Sequence, residues 1–157
     1  MESKYPLGIR EATANDIDAI SGIEEKTFPG PIAYTKRQLA YLILRANSTS
    51  LLESQGGVTR GFVITTYRRG SSTGHIETID VDPSFKKQGI GVKLLTAAEA
   101  DMKQRCMKRS QIEVSRGNRA ALALYKKAGY AFKERIPRYY KYDHHGTRDA
   151  VRMVKTL

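Results

Sequence analysis

The chain has 157 residues, 40% of them hydrophobic and 27% charged, which suits one soluble globular domain whose core needs no staple. No apolar run reaches the ~18 residues of a membrane span, the opening Met1–Pro6 stretch lacks a signal peptide's basic flank and apolar run, and the single cysteine, Cys106, excludes an internal disulfide, so a cytosolic protein is expected. The net charge of +11 and pI near 9.8 favour polyanions, either nucleic acid or a multiply phosphorylated cofactor, and equally suit plain solubility.

In chain order, Leu7 to Ala12 reads as a short strand. Asn15 or Asp16 is placed to cap a helix whose Ile17, Ile20 and Ile23 share one face. Phe28-Pro29-Gly30-Pro31 ends that helix, since two prolines and a glycine cannot continue it. Thr35 and Gln38 have capping-box spacing and open a second helix through Leu39, Leu42 and Ile43. Ser50–Ser54 and Val58–Tyr67 read as a hairpin around Gln55-Gly56-Gly57. Arg68 to Gly74 is a basic turn, and His75–Val81 is a strand closed by Asp82-Pro83. A helix follows from about Gly89 to Met107, with Val92, Leu95, Ala98 and Met102 inward. Gln111–Ser115 is a strand, Asn118–Lys127 a helix stopped by Gly129, and Tyr130–Arg138 and Asp149–Lys155 are the closing strands. No repeat or long linker intervenes, so residues 1–157 read as a single α+β domain, a mixed sheet with helices on both faces.

Between the His75–Val81 strand and the following helix lies Lys86-Lys87-Gln88-Gly89-Ile90-Gly91. A glycine-bearing turn into a helix N-terminus offers unpaired N–H groups and the positive end of the helix dipole to an anion. Gly89 and Gly91 let a phosphate approach the backbone, and Lys86 and Lys87 add charge at the mouth. The pattern is neither a Walker loop nor a dinucleotide fingerprint. Taken alone, Gly-x-Gly fits a structural turn about as well as a ligand site.

The stretch Val81 to Gly91 resembles the acetyl-CoA motif of the GNAT acetyltransferases, with Lys86 at a position where the family has Arg or Gln. The segment Glu113-Val114-Ser115-Arg116-Gly117-Asn118, then Ala121, Leu124-Tyr125 and Gly129-Tyr130, is similar to the pattern of RimI-like protein N-acetyltransferases. The resemblance implies a GNAT fold: a central mixed, mostly antiparallel sheet of about seven strands flanked by about four helices. It implies acetyl-CoA as cofactor, its pyrophosphate held by Lys86, Lys87, Gln88, Gly89, Ile90, Gly91 and Val92, and its remainder by Ile79, Val81, Asn118 and Tyr125. It further implies Glu113 as the base acting through water, Tyr125 as general acid and Val81 as backbone donor to the oxyanion. Glu77, on the strand before the loop, is a rival base. Read singly, Tyr125 also fits a core tyrosine, Asn118 a helix cap and Glu113 a solvated strand residue.

Phe28, Pro29 and Tyr34 lie in the loop that lines the acceptor slot in this superfamily, and Glu77 faces the same slot. Tyr139 and Tyr140, followed by Gly146-Thr147-Arg148-Asp149-Ala150, resemble the tail of protein N-terminal acetyltransferases, where such tyrosines hold the peptide backbone. The implied acceptor is a protein or peptide N-terminus, with an auxiliary subunit or a homodimer left open. A small-molecule acetyltransferase, a basic nucleic-acid-binding domain and a CoA-binding regulatory domain without catalysis are the alternatives. No helix-turn-helix, zinc-finger or RNP pattern supports nucleic acid, and no membrane association is expected. No metal site is expected: His144 and His145 read as solvated loop residues, and Cys106 as structural.

Overall fold

The structure, a computed structural model, describes residues 3–28 and 30–157. Its elements run β1 (Ile9–Glu11), α1 (Ile17–Thr27), α2 (Lys36–Leu44), β2 (Ser48–Gln55), β3 (Val58–Tyr67), β4 (Thr73–Val81), α3 (Ile90–Gln104), β5 (Arg109–Ser115), α4 (Arg119–Lys127), β6 (Ala131–Ile136) and β7 (Ala150–Thr156). The expected order of elements holds throughout, with strand ends shifted by a few residues.

Capping fixes the helix starts. α1 is entered through a 3-10 turn, Ala14–Asp16, capped by Thr13: its hydroxyl accepts from the Asn15 N–H at 3.3 Å, and the Asp16 carboxylate accepts from the Thr13 N–H at 2.8 Å. Asp16 does hold the N-cap position of α1, but its side chain makes no cap bond there. Arg10 grips the same carboxylate with two bonds of 2.8 Å and holds its pKa down to about 2. Thr35 and Gln38 form the expected reciprocal box at the start of α2. On α3 the buried stripe is Ile90, Leu94, Leu95, Ala98 and Met102, whereas Val92 is 49% exposed. Val92 lies two residues beyond Ile90, roughly 200° around the helix, which turns it to the outside.

All seven strands join one sheet in the order β1-β2-β3-β4-β5-β7-β6. Every pairing is antiparallel except β4 with β5, which α3 joins as a helical crossover. Ile76, Val63, Leu51, Leu94, Leu95, Met102 and Val151 build the core under α3 and α4. Ile20, Ile23, Leu39, Leu52, Phe62 and Ile64 build the second core under α1 and α2.

Two irregularities of β4 shape the middle of the sheet. Its register against β3 runs Thr65↔Ile76 and then Ile64↔Thr78, so Glu77 is an extra residue opposite nothing, a β-bulge. The bulge changes which residues face which side: Ile76 packs into the α3 core, while Thr78 bonds Glu24 of α1. Second, β4 and β5 pair only from Thr73↔Arg109 to Ile76↔Ile112. Beyond that point β4 stays on β3 as far as Val81, and β5 stays on β7 as far as Ser115. The two strands therefore splay, opening a wedge in the sheet.

Candidate active site

The wedge contains a cleft of about 380 Å³. Glu77 and Ile79 of β4 line one wall, Glu113 and Ser115 of β5 the other, with Asn118 and Tyr125 of α4 behind. Phe28 and Tyr34 from the α1–α2 connection, and Tyr139, Tyr140 and His144 from the β6–β7 loop, close the remaining side. Thus Glu113, Tyr125, Asn118, Ile79, Glu77, Phe28, Tyr34, Tyr139 and Tyr140 come together as their sequence context implied. Pro29 lies outside the described residues.

The two glutamates are joined through His75. Its Nε2 lies 2.6 Å from Glu113 Oε2 and its Nδ1 3.2 Å from Glu77 Oε1. Burial would lower the imidazole pKa, but the bonds and charges of Glu113 and Glu77 outweigh it and raise it to about 9. Burial pushes the Glu113 carboxyl up, and His75, then Arg152 and Gln111, more than reverse this and leave it below the usual range. Glu113 accepts from Arg152 Nε at 3.1 Å and from Gln111 Nε2 at 3.0 Å. Glu77 accepts from the Tyr34 hydroxyl at 2.9 Å and from Thr66 at 3.1 Å, and His75 chiefly holds its pKa down. The imidazolium thus favours the charged form of both carboxylates, and they favour its own. The sequence carried a signal for this grouping: His75 and Glu77 are two apart on a strand, and residues at that spacing share a face.

A second acidic group lies beneath the cleft. Thr78 Oγ1 is 3.1 Å from Glu24 Oε1 and 3.0 Å from Asp80 Oδ1, and Asp80 Oδ2 is buried with no donor among the described residues. Burial, and then Glu24 beside it, push the Asp80 carboxyl well above the carboxylate range. Glu24 also accepts from the Tyr34 N–H at 3.0 Å, which ties the loop bearing Tyr34 to α1.

Tyr125 is 7% exposed and lines the cleft, with no hydrogen-bond partner for its hydroxyl among the described residues. Burial, then the nearby Asp80, raise its pKa above that of a free phenol, so it carries its proton. Asn118 does cap α4, its Oδ1 accepting from the Ala121 N–H at 3.2 Å, and its amide NH₂ is left for other contacts. The Asp82 N–H donates to the Arg60 carbonyl at 2.8 Å on the β3 side. Strand alternation then turns the Val81 and Ile79 N–H groups toward the wedge.

His144 is 4% exposed, contrary to a solvated loop reading. Its ring lies 5.1 Å from both Phe28 and Tyr140, and burial, then His145, lower its pKa to about 4, which keeps it neutral. Its carbonyl accepts from Ser115 Oγ at 2.7 Å, and Gly117 has no room for a Cβ against the His145 carbonyl. This contact fixes the β6–β7 loop over the end of β5.

The phosphate-loop residues do not line the cleft but continue from it at the end of β4. Gly89, at φ +76°, is the N-cap of α3 and gives no side-chain cap. The N–H groups of Ile90, Gly91 and Val92 are thus free of helical partners. A Cβ on Gly89 would meet nothing within 4 Å, and one on Gly91 only Val81 at 3.7 Å and Leu124 at 4.0 Å. Protein packing leaves this space open, and donors, dipole and Lys86–Lys87 together fit a pyrophosphate.

The acetyltransferase (GNAT) family profile matches residues 17–130. The chain belongs to this family. Family members move an acetyl group from acetyl-CoA to an amine, and the matched range contains both strands of the wedge and the glycine turn into α3. The catalytic subunit NAA10 of the N-terminal acetyltransferase A complex of Arabidopsis thaliana is 31% identical over 137 residues, spanning 84% of this chain and 70% of that protein. The fold is also that of the ribosomal-protein-S18-alanine N-acetyltransferase of Escherichia coli, with TM-score 0.84, 24% identity and coverage of 95% and 92% of the two chains. Ard1 of Thermoplasma volcanium gives TM-score 0.83, 22% identity and coverage of 95% and 96%. No helix among the described residues is long and apolar enough to cross a membrane.

Proposed function

We propose that the chain acetylates the α-amine of a protein or peptide N-terminus, by direct attack within a complex holding both substrates. The observation that carries the reading is the acceptor side of the cleft, where Tyr34, Tyr139 and Tyr140 close over the Glu77–His75–Glu113 unit. Tyr139 and Tyr140 pack edge to face at 5.0 Å, and Arg148 C=O accepts from the Tyr140 N–H at 2.9 Å. Such a wall presents flat apolar area with polar tips, which suits a backbone entering end-on. The Arabidopsis relative, the catalytic subunit of an N-terminal acetyltransferase complex, supports the same acceptor.

Bound acetyl-CoA supplies the thioester carbonyl for attack. Gln88 to Val92 hold its pyrophosphate through backbone N–H groups, with Lys86 and Lys87 at the mouth. An α-amine has a pKa of roughly 8, so it loses a proton readily near neutrality. The Glu113 carboxylate, held ionised beside the His75 imidazolium, receives that proton through water. The Val81 N–H donates toward the negative charge that develops on the carbonyl oxygen. The Tyr125 hydroxyl returns a proton to the departing thiolate. The Asn118 amide contacts the pantetheine side.

The test is thiol release from acetyl-CoA with short peptides, polyamines and amino acids as acceptors, on the purified chain and on any assembly that co-purifies with it. Peptides with a free N-terminus should turn over, and the same peptides blocked at that amine should not. Turnover restricted to polyamines or other small amines would reject the peptide acceptor. Tyr139 is 46% exposed in the free chain and would be covered by a bound peptide, so Tyr139→Ala should raise the peptide KM ~10-fold, the loss of an aromatic anchor worth about 1.4 kcal/mol.

A further inference from the structure

We infer that the end of the sheet farthest from the cofactor loop is a docking surface for the phosphate backbone of nucleic acid. Three connections meet there. Arg45 lies in the α2–β2 connection, Arg68 and Arg69 in the β3–β4 turn, and Lys103, Arg105, Lys108 and Arg109 around the α3–β5 turn. All seven side chains are exposed, and residues 45–47, 68–72 and 103–109 include no carboxylate.

The three connections are welded together by backbone. The Lys108 N–H donates to the Ser72 carbonyl at 2.7 Å, and the Tyr67 N–H to the Asn47 carbonyl at 2.9 Å. Arg109 reaches Ser72 Oγ at 3.0 Å, and Arg105 lies 4.2 Å over the Tyr67 ring while bonding Thr49 at 2.9 Å. Of the seven cations, only Arg105 has a carboxylate partner among the described residues, the buried Asp101 at 3.2 Å. Apart from Arg105, the cations thus form one patch without carboxylate partners among the described residues, on connections held together by backbone.

Cofactor binding does not account for this charge. β4 starts at the patch and ends at the phosphate loop, and its nine residues span roughly 26 Å. That exceeds two Debye lengths at physiological salt, about 8 Å each. The patch therefore serves another polyanion. Its preference for nucleic acid over an anionic membrane follows from composition. Five of the seven cations are arginines, whose planar fork pairs with phosphate oxygens, and Asn47, Ser71 and Ser72 add neutral phosphate contacts. The three connections themselves carry no large exposed apolar side chain, and Leu44, beside Arg45 at the end of α2, and Tyr41 are the exposed apolar residues that border them, too few to anchor a lipid surface.

The test measures anisotropy of a short labelled RNA duplex at 50–200 mM salt. It compares wild type with Arg68→Ala/Arg69→Ala/Lys103→Ala/Lys108→Ala, and with a control that removes equal charge elsewhere, Arg119→Ala/Lys126→Ala/Lys127→Ala/Lys133→Ala. Wild type should bind with a slope of log K against log salt of about −3.6 or steeper, the signature of four or more engaged phosphates. The patch variant should bind at least ten-fold more weakly with a shallower slope and keep its circular dichroism and CoA binding, while the control should stay within about two-fold of wild type. Equal losses in both variants, no measurable RNA binding by wild type, or tighter binding to phosphatidylserine vesicles than to RNA would each overturn the proposal.

Discussion

Asp80 has no use in the chemistry described above, yet its burial is nearly complete and one of its oxygens has no donor among the described residues. Its pKa is raised in the folded chain by burial and by Glu24. A group raised on folding stabilises fully below its unfolded pKa, and that stability is lost as pH rises through the folded value. Asp80→Asn removes the titration and supplies an amide donor to Glu24. At pH 8 the variant should gain the worth of about one hydrogen bond, ~1 kcal/mol, or roughly 3 °C in Tm. At pH 4 the difference should vanish. Scanning calorimetry at the two pH values decides it, and a variant less stable at pH 8 would refute the account of Asp80. The pairing with Glu24 was not legible in the sequence, because the two residues are 56 apart and their approach depends on the Glu77 bulge turning Thr78 and Asp80 toward α1. His144 was misread for a similar reason: its burial is created by Phe28, from the distant α1–α2 connection, together with Tyr140 of its own loop.

At the scale of elements, local chemistry carries more. Thr35 closes a reciprocal box with Gln38 and starts α2 one residue after Tyr34, whose hydroxyl bonds Glu77. Thr35→Ala should cost about 1 kcal/mol of stability, read from a shift of the urea midpoint at constant slope. It should also raise the peptide KM more than it lowers kcat, because the loop's anchor loosens while the Glu113 side of the cleft is untouched. A change in kcat alone would show that the loop does not position the acceptor. This box was readable from residue types and spacing, as were the helices, the β2–β3 hairpin and the glycine turn into α3. The side chain that caps the entry to α1 was not, since Thr13 competes with Asn15 and Asp16 and the choice depends on Arg10 holding Asp16. Val92 was placed inward because periodicity gives a stripe without saying where the sheet meets it.

For the whole molecule, one parallel pairing among antiparallel neighbours and a one-residue bulge produce the wedge on which the chemistry depends. Sequence patterns located the strands that form it, but not that β4 and β5 part company after Ile76 and Ile112. Family motifs supplied that expectation indirectly, through the residues known to gather there. His75 was the member those motifs left without a role, and only the fold shows it between Glu77 and Glu113.

The central claim is that this cleft acetylates a backbone α-amine and that Glu113 takes part in removing its proton. The most direct measurement uses a peptide carrying both a free N-terminus and an internal lysine, with tandem mass spectrometry to place the acetyl group made by wild type and by Glu113→Gln. The account expects acetylation of the α-amine with the lysine unmodified, and a rate at least ~100-fold lower for Glu113→Gln, the usual worth of a general base. Acetyl placed on the lysine, or a Glu113→Gln rate equal to wild type, would contradict it.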